Sequence, residues 1–214
     1  MKKRILSILL ALCMLFCLVP TTAFAEGETN RKVETEQELV NALADSSADI
    51  ITLKNDIAIG TTLTVLRKVT LDLNGYVLKM TGSGSVIKVE SGGSLTIADS
   101  NTTTQHNFTP NGDGLWVLDE TGGSKFVYGG IITGGTGMPP GVNYSEGGGV
   151  YVSAGAALTM NGGSIVGCKA ESGGGVCIVY DYTAQKTSEF IMKGGSITVS
   201  YTHLRAHETE LHLV

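Results

Sequence analysis

Cysteine, proline and tryptophan are scarce in this chain of 214 residues, which has four cysteines, four prolines and one tryptophan. Cys13 and Cys17 lie in an apolar stretch near the N-terminus, leaving Cys168 and Cys177 for the rest. Two thiols exclude a disulfide-dense scaffold and fall short of a four-ligand structural metal site. They flank the glycines Gly173 to Gly175, so a bridge across that turn and a pair of buried thiols are both open. Arginine is also scarce: between residues 26 and 200 it occurs only at Arg31 and Arg67. With a formal net charge of −5 for the whole chain, this excludes nucleic acid and anionic membrane surfaces as partners.

A membrane-spanning apolar run is also missing. The longest, Ile5 to Val19, is about 15 residues, short of the roughly 20 that cross a bilayer as a helix. Lys2, Lys3 and Arg4 precede it, Pro20 follows, and Ala23-Phe24-Ala25 places small residues at a cleavage site. This is the composition of a signal peptide over residues 1–25. The mature chain is therefore expected to be secreted or at the cell surface, without a transmembrane segment. Leu12 and Phe16 precede the two leader cysteines, so no lipoprotein signal is read there.

Glycine is plentiful. All 29 lie between Gly27 and Gly195, roughly twice the ordinary share of about 7%, and they recur in phrases. "GGGV" at Gly147 returns at Gly173, 26 residues later. "VIKVESGGSLTI" (Val86 to Ile97) aligns without a gap on "VYVSAGAALTM", placing Ile87 on Val150 at an offset of 63. "FIMKGGSI" (Phe190 to Ile197) repeats "LTMNGGSI" (Leu158 to Ile165). "FVYGGIITG" (Phe126 to Gly134) is a looser copy, and "LDLNGYVL" (Leu71 to Leu78) another.

Each unit predicts three short strands, Val150–Val152, Leu158–Met160 and Ser164–Val166, from alternating apolar residues. Gly155, Asn161-Gly162-Gly163 and the glycine triplet supply the positive φ of sharp corners. Stacked units would turn Val150, Val152, Leu158, Met160 and Ile165 inward, giving a parallel β-solenoid, with sandwich and barrel topologies as alternatives. "TEQE" (Thr35 to Glu38) predicts a capping box and a helix to about Ala44, with Leu39, Val40 and Leu43 covering the open end of the core.

A helix cap leading into glycine-cornered coils resembles the right-handed parallel β-helix of the pectin-lyase-like superfamily, in particular the β-helical ectodomains of secreted bacterial surface and adhesin-type proteins. The phrases "LDLNGYVL", "GGSLTI" and "GGGVYV" carry the resemblance over about residues 50–200. It implies an all-β, right-handed parallel β-helix with an N-terminal amphipathic capping helix. The expected organisation is a signal peptide (1–25), a leader with the capping helix (26–49), truncated coils (50–200) and a non-native tail (201–214).

That tail holds His203, His207 and His212 and resembles translated adapter sequence. The helical spacing of His203 and His207 would suit a metal, but none is assigned.

Lyase relatives use a calcium cluster with a basic residue, and hydrolase relatives use clustered aspartates with a histidine. Asp45, Asp49, Asp56, Asp72, Asp99, Asp113, Asp119 and Asp181 include no adjacent pair. No catalytic, cofactor or metal residue is therefore carried over, and calcium enters only under the lyase alternative. The best local candidate is the insertion Ser100 to Trp116, which holds His106, Asp113 and the single tryptophan. Trp116 could stack on a sugar, or else point inward from the next coil. Tyr144, Tyr180 and Tyr182, in two further loops, would join it if the loops leave from one edge. The expected function is non-catalytic adhesion or glycan contact through loops between coils, the partner being a polysaccharide or a host or cell-surface glycan. The alternatives are the N-terminal part of a polysaccharide lyase or glycoside hydrolase, and a passive stalk.

Overall fold

The computed structural model describes residues 29–137 and 147–198, and the backbone of 201–202. The expected signal peptide, Tyr144 and the three histidines of the tail lie outside the described residues. Strand β1 (Asn30–Val33) leads into helix α1 (Glu36–Ala44). Then follow β2 (Ile50–Leu53), β3 (Ile57–Ile59), β4 (Leu63–Val65), β5 (Lys68–Asp72), β6 (Val77–Met80), β7 (Ile87–Val89) and β8 (Ser94–Ala98). An insertion forms β9 (Gln105–Pro110), β10 (Trp116–Leu118) and β11 (Lys125–Tyr128). The chain continues through β12 (Ile131–Thr133), β13 (Val150–Val152), β14 (Ala157–Met160), β15 (Ser164–Val166), β16 (Lys169–Ala170), β17 (Val176–Ile178), β18 (Glu189–Met192), β19 (Ser196–Thr198) and β20 (Tyr201–Thr202).

Three parallel sheets make the body. The first runs β1-β2-β5-β8-β14-β18, the second β3-β6-β12-β15-β19 and the third β4-β7-β13-β17. Apart from the insertion and the short β16, the chain between β2 and β19 visits first, second and third sheet in rotation, and each return adds one strand alongside the last. No sheet closes into a barrel among the described residues.

The register follows the sequence repeat. Ile87 pairs with Val150 and Val89 with Val152, while Leu95 pairs with Leu158 and Ile97 with Met160, all at the offset of 63. Val150 pairs with Val176, 26 residues on, and Leu158 with Phe190, 32 residues on. The six extra residues sit in the corner between β17 and β18. Alternation explains why register is held so firmly, because a one-residue slip would turn every buried aliphatic outward. Val150, Val152, Leu158, Met160 and Ile165 are indeed all fully buried.

Two expected copies are corrected. Phe126–Tyr128 is not coil but lies in β11 of an antiparallel sheet, and only Ile131–Thr133 of that phrase joins the body. In the other, Leu71 stands over Ile97 and so in line with Met160, not Leu158. Leu78 still aligns with Ile132 and Ile165. The corner from β5 to β6 is thus longer by two residues, which bury Leu73.

The glycine triplet also needs a second explanation. Gly147 and Gly173 take φ of 64° and 61°, as a corner requires. Gly149 does not. A Cβ there would collide with the carbonyl oxygen of Gly175 and lie 2.5 Å from Ile165 Cγ2. The amides of Gly149 and Val150 donate to the carbonyls of Gly174 and Gly175 at 2.9 Å. Glycine is needed here because successive corners stack backbone on backbone.

Thr35 caps α1, its Oγ1 accepting from the Glu38 amide at 3.3 Å. Glu38 reaches back to the Glu34 amide, one residue before the cap. Leu39, Ala42 and Leu43 are buried, but Val40 is 40% exposed, contrary to expectation. Its position 100° beyond Leu39 on the helix turns it away from the sheets. The leader also contains β1, whose four residues pair with β2 and extend the first sheet at its edge. Arg67 reaches over from the β4–β5 corner and donates to the carbonyls of Ala42 and Leu43 at 3.0 and 3.2 Å. A cation at the helix C-terminus satisfies two carbonyls that the helix leaves unpaired. At the other end of the body, Tyr201–Thr202 pairs with β16.

Candidate binding surface on the inserted sheet

Residues 99–130 leave the body between the first and second sheets. The order β10-β9-β11 is antiparallel throughout. Asn111 builds the first turn: its carboxamide oxygen accepts from the amides of Asp113 and Leu115 at 3.0 and 2.9 Å. Asp119 builds the second, its carboxylate accepting from both the amide and the hydroxyl of Thr121. These are side-chain-closed turns of the kind asparagine and aspartate favour.

The inner face of this sheet lies on the outside of the second body sheet. Val77, Ile131 and Val166 face outward from β6, β12 and β15, and the insertion covers them. Phe108 is fully buried on this patch, its ring centroid 6.3 Å from that of Trp116, and Leu118 and Val127 pack beside them. A Cβ at Gly167 would collide with the Trp116 carbonyl, so the two layers meet closely. His106 Nε2 lies 2.9 Å from the Gly75 carbonyl, and Asp99 accepts from the amides of Gly75 and Gly130 at 2.8 Å. These bonds anchor the insertion to the corner it leaves.

The outer face carries Gln105 opposite Tyr128, Asn107 opposite Phe126 and Thr109 opposite Val117. Tyr128, Phe126 and Val117 are 58%, 55% and 47% exposed. Tyr128 donates its hydroxyl to Gln105 at 3.1 Å, and Gln105 donates to Asn107 at 3.0 Å. Two rings and two carboxamides thus form a flat, ordered, amphipathic surface.

The expected contact residues fall differently. Trp116 is half-buried on the inner face of the inserted sheet, beside Phe108, and is not an inward residue of a coil. His106 is held by the Gly75 carbonyl, and Asp113 is exposed at the first turn. Tyr180 and Tyr182 are exposed and stack edge-on, centroids 4.6 Å apart. Their loop joins the third sheet to the first, whereas the insertion joins the first to the second, and residues 134–149 join the second to the third. The loops leave from different corners, so Tyr180 and Tyr182 do not join Trp116. Phe126 and Tyr128 escaped the sequence reading because "FVYGG" imitates a coil. No residue just before the phrase sets it apart, since Phe190 is likewise preceded by a lysine and polar residues, Lys186 to Glu189.

Three carboxylates of the insertion and its corner, Asp72, Asp99 and Asp119, are committed to turns. Asp72 accepts from the amides of Asn74 and Ser100, and Asp99 from the two glycines. Asp119 is held down at about 2, first by the Thr109 hydroxyl and then by Thr121. Its contribution to the insertion is therefore full above its ordinary 3.8 and is lost as pH falls through about 2. Amide resonances of Thr109 and Thr121 should hold steady down to about pH 4 and shift below it; no movement by the bottom of that window would contradict the assignment. Cys168 and Cys177 form no disulfide. Burial pushes the Cys168 thiol up to about 12, which leaves it inert as a nucleophile. No group of three metal-ligating side chains gathers among the described residues. Among the same residues no helix is long and apolar enough to cross a membrane.

No curated protein and no solved structure matches the chain. A family model does match residues 30–138, half of the chain, under the description "Putative pectate lyase-like adhesive domain". The matched span runs from β1 through the whole inserted sheet to just beyond β12. The chain belongs to this family of pectate lyase-like adhesive domains.

Proposed function

We propose that this protein is a secreted or cell-surface, non-catalytic adhesive protein built as a right-handed parallel β-helix, which contacts glycans through the outer face of its inserted sheet. The rotation of the chain through three parallel sheets supports the β-helix, with residues 26–49 as leader and cap and 50–200 as coils. The family supports an adhesive role at a surface. One observation carries the contact surface: the insertion buries one apolar face on the body and leaves Phe126 and Tyr128 exposed on the other, flanked by carboxamides. Aromatic rings beside fixed hydrogen-bonding groups suit sugars, which present apolar C–H faces and hydroxyl edges.

A glycan array probed with the wild type and with Phe126→Ala/Tyr128→Ala tests this. Binding by the wild type and its loss in the variant, at unchanged melting temperature, is the expected result. An empty array, or equal binding by both proteins, rejects the surface. Unsaturated products released from polyuronides with calcium would reject the non-catalytic reading and favour a lyase.

A further inference from the structure

A second site lies on the third sheet, away from the insertion. Thr64, Lys88 and Tyr151 stand in one row across β4, β7 and β13. Their neighbours Leu63, Val65, Ile87, Val89, Val150 and Val152 are all buried, so alternation turns the row outward. A groove of about 520 Å³ runs over it, within the roughly 300–1,000 Å³ of small-molecule sites. Its wall is made of two corners, carrying Thr61 and Thr62 on one and Ser83 and Ser85 on the next. The corners touch: a Cβ at Gly84 would lie 2.7 Å from Thr62 Oγ1.

The groove contains one ammonium and one carboxylate, and they are paired. Lys88 Nζ lies 2.7 Å from Glu90 Oε1 and 5.6 Å from the Tyr151 ring centroid. Ser153 Oγ, 63 residues on, donates to the other carboxylate oxygen at 3.1 Å. Both charged side chains stay about one-third exposed, 38% and 33%. Their charges cancel, so the groove has no net preference for an ion. It still offers directional hydrogen bonds, since an ammonium carries three N–H donors and each hydroxyl both donates and accepts. One partly buried aromatic ring, that of Tyr151, completes it.

We infer that this groove binds a short uncharged oligosaccharide, the hydroxyl wall and the Lys88–Glu90 pair meeting its hydroxyls and Tyr151 meeting a sugar face. A polyuronate is disfavoured because Glu90 faces it and Lys88 is already neutralised. The site is independent of the inserted sheet, and neither needs the other.

Calorimetric titration of the full chain with cellotetraose, xylotetraose and tetragalacturonate is the test. At least one neutral tetrasaccharide should bind and tetragalacturonate should not. Tyr151→Ala should weaken binding about tenfold, equivalent to about 1.4 kcal/mol, while Phe126→Ala/Tyr128→Ala leaves it unchanged. Should Tyr151→Ala fail to fold, Thr62→Val and Ser83→Ala provide the same readout at the wall. The inference is overturned if neither neutral sugar binds, if tetragalacturonate binds as tightly, or if the groove variants that fold bind like the wild type.

Discussion

Phe108→Ala is expected to destabilise the protein by about 3–5 kcal/mol, the range for truncating a fully buried phenylalanine. Among the described residues Phe108 is the largest completely buried side chain, and it is the centre of the contact between the inserted sheet and the body. Its removal leaves a cavity bordered by Val77, Ile131 and Val166, and weakens the contact that holds the Trp116 strand. The loss should be local first. A three-stranded antiparallel sheet has little independent stability once its apolar face is uncovered. Limited proteolysis should therefore cut within residues 99–130 before the body unfolds, and denaturant melts should show two transitions instead of one. A single transition displaced by less than about 1 kcal/mol would mean that the insertion is not seated through Phe108.

Gly149→Ala is expected to cost about 1–3 kcal/mol, at the upper end of that overpacking range. The new methyl would meet the Gly175 carbonyl of the next corner and Ile165 Cγ2. Neither can rotate away, because one is backbone paired to Val150 at 2.9 Å and the other is fully buried. Relief would require the two corners to separate, which breaks the ladder joining β13 to β17. Gly60→Ala is the control, since a Cβ at Gly60 meets nothing within 4 Å. It should be neutral or stabilising by about 0.4–1 kcal/mol through the unfolded chain. Equal effects of the two substitutions in thermal melts would show that corner glycines serve only backbone freedom, as the sequence suggested, and not close stacking.

The groove on the third sheet and the outer face of the insertion were both hidden in the sequence, for different reasons. Lys88, Glu90 and Tyr151 occupy the outward positions of alternating strands, where any polar residue is acceptable, so their identity carried no signal until the register aligned them. Phe126 and Tyr128 were hidden by a false repeat. A clue to the insertion's seat was nevertheless present. Val77, Ile131 and Val166 are apolar at outward positions, and alternation alone would have made them polar.

What the sequence determined by itself was the register of the body from Val86 onward. An alternating pattern with fixed offsets between phrases allows one alignment that keeps Ile87, Val150, Leu95 and Leu158 all buried, and any slip exposes them together. What only the tertiary structure decided was where the irregular segments go. A loop's exit corner depends on how many residues each preceding corner consumes, and the two extra residues at Leu73 or the six near Tyr182 cannot be assigned from local preference. The antiparallel pairing of residues 105–128 was settled in the same way, because those strands gain their burial from a patch formed by three separate circuits of the chain.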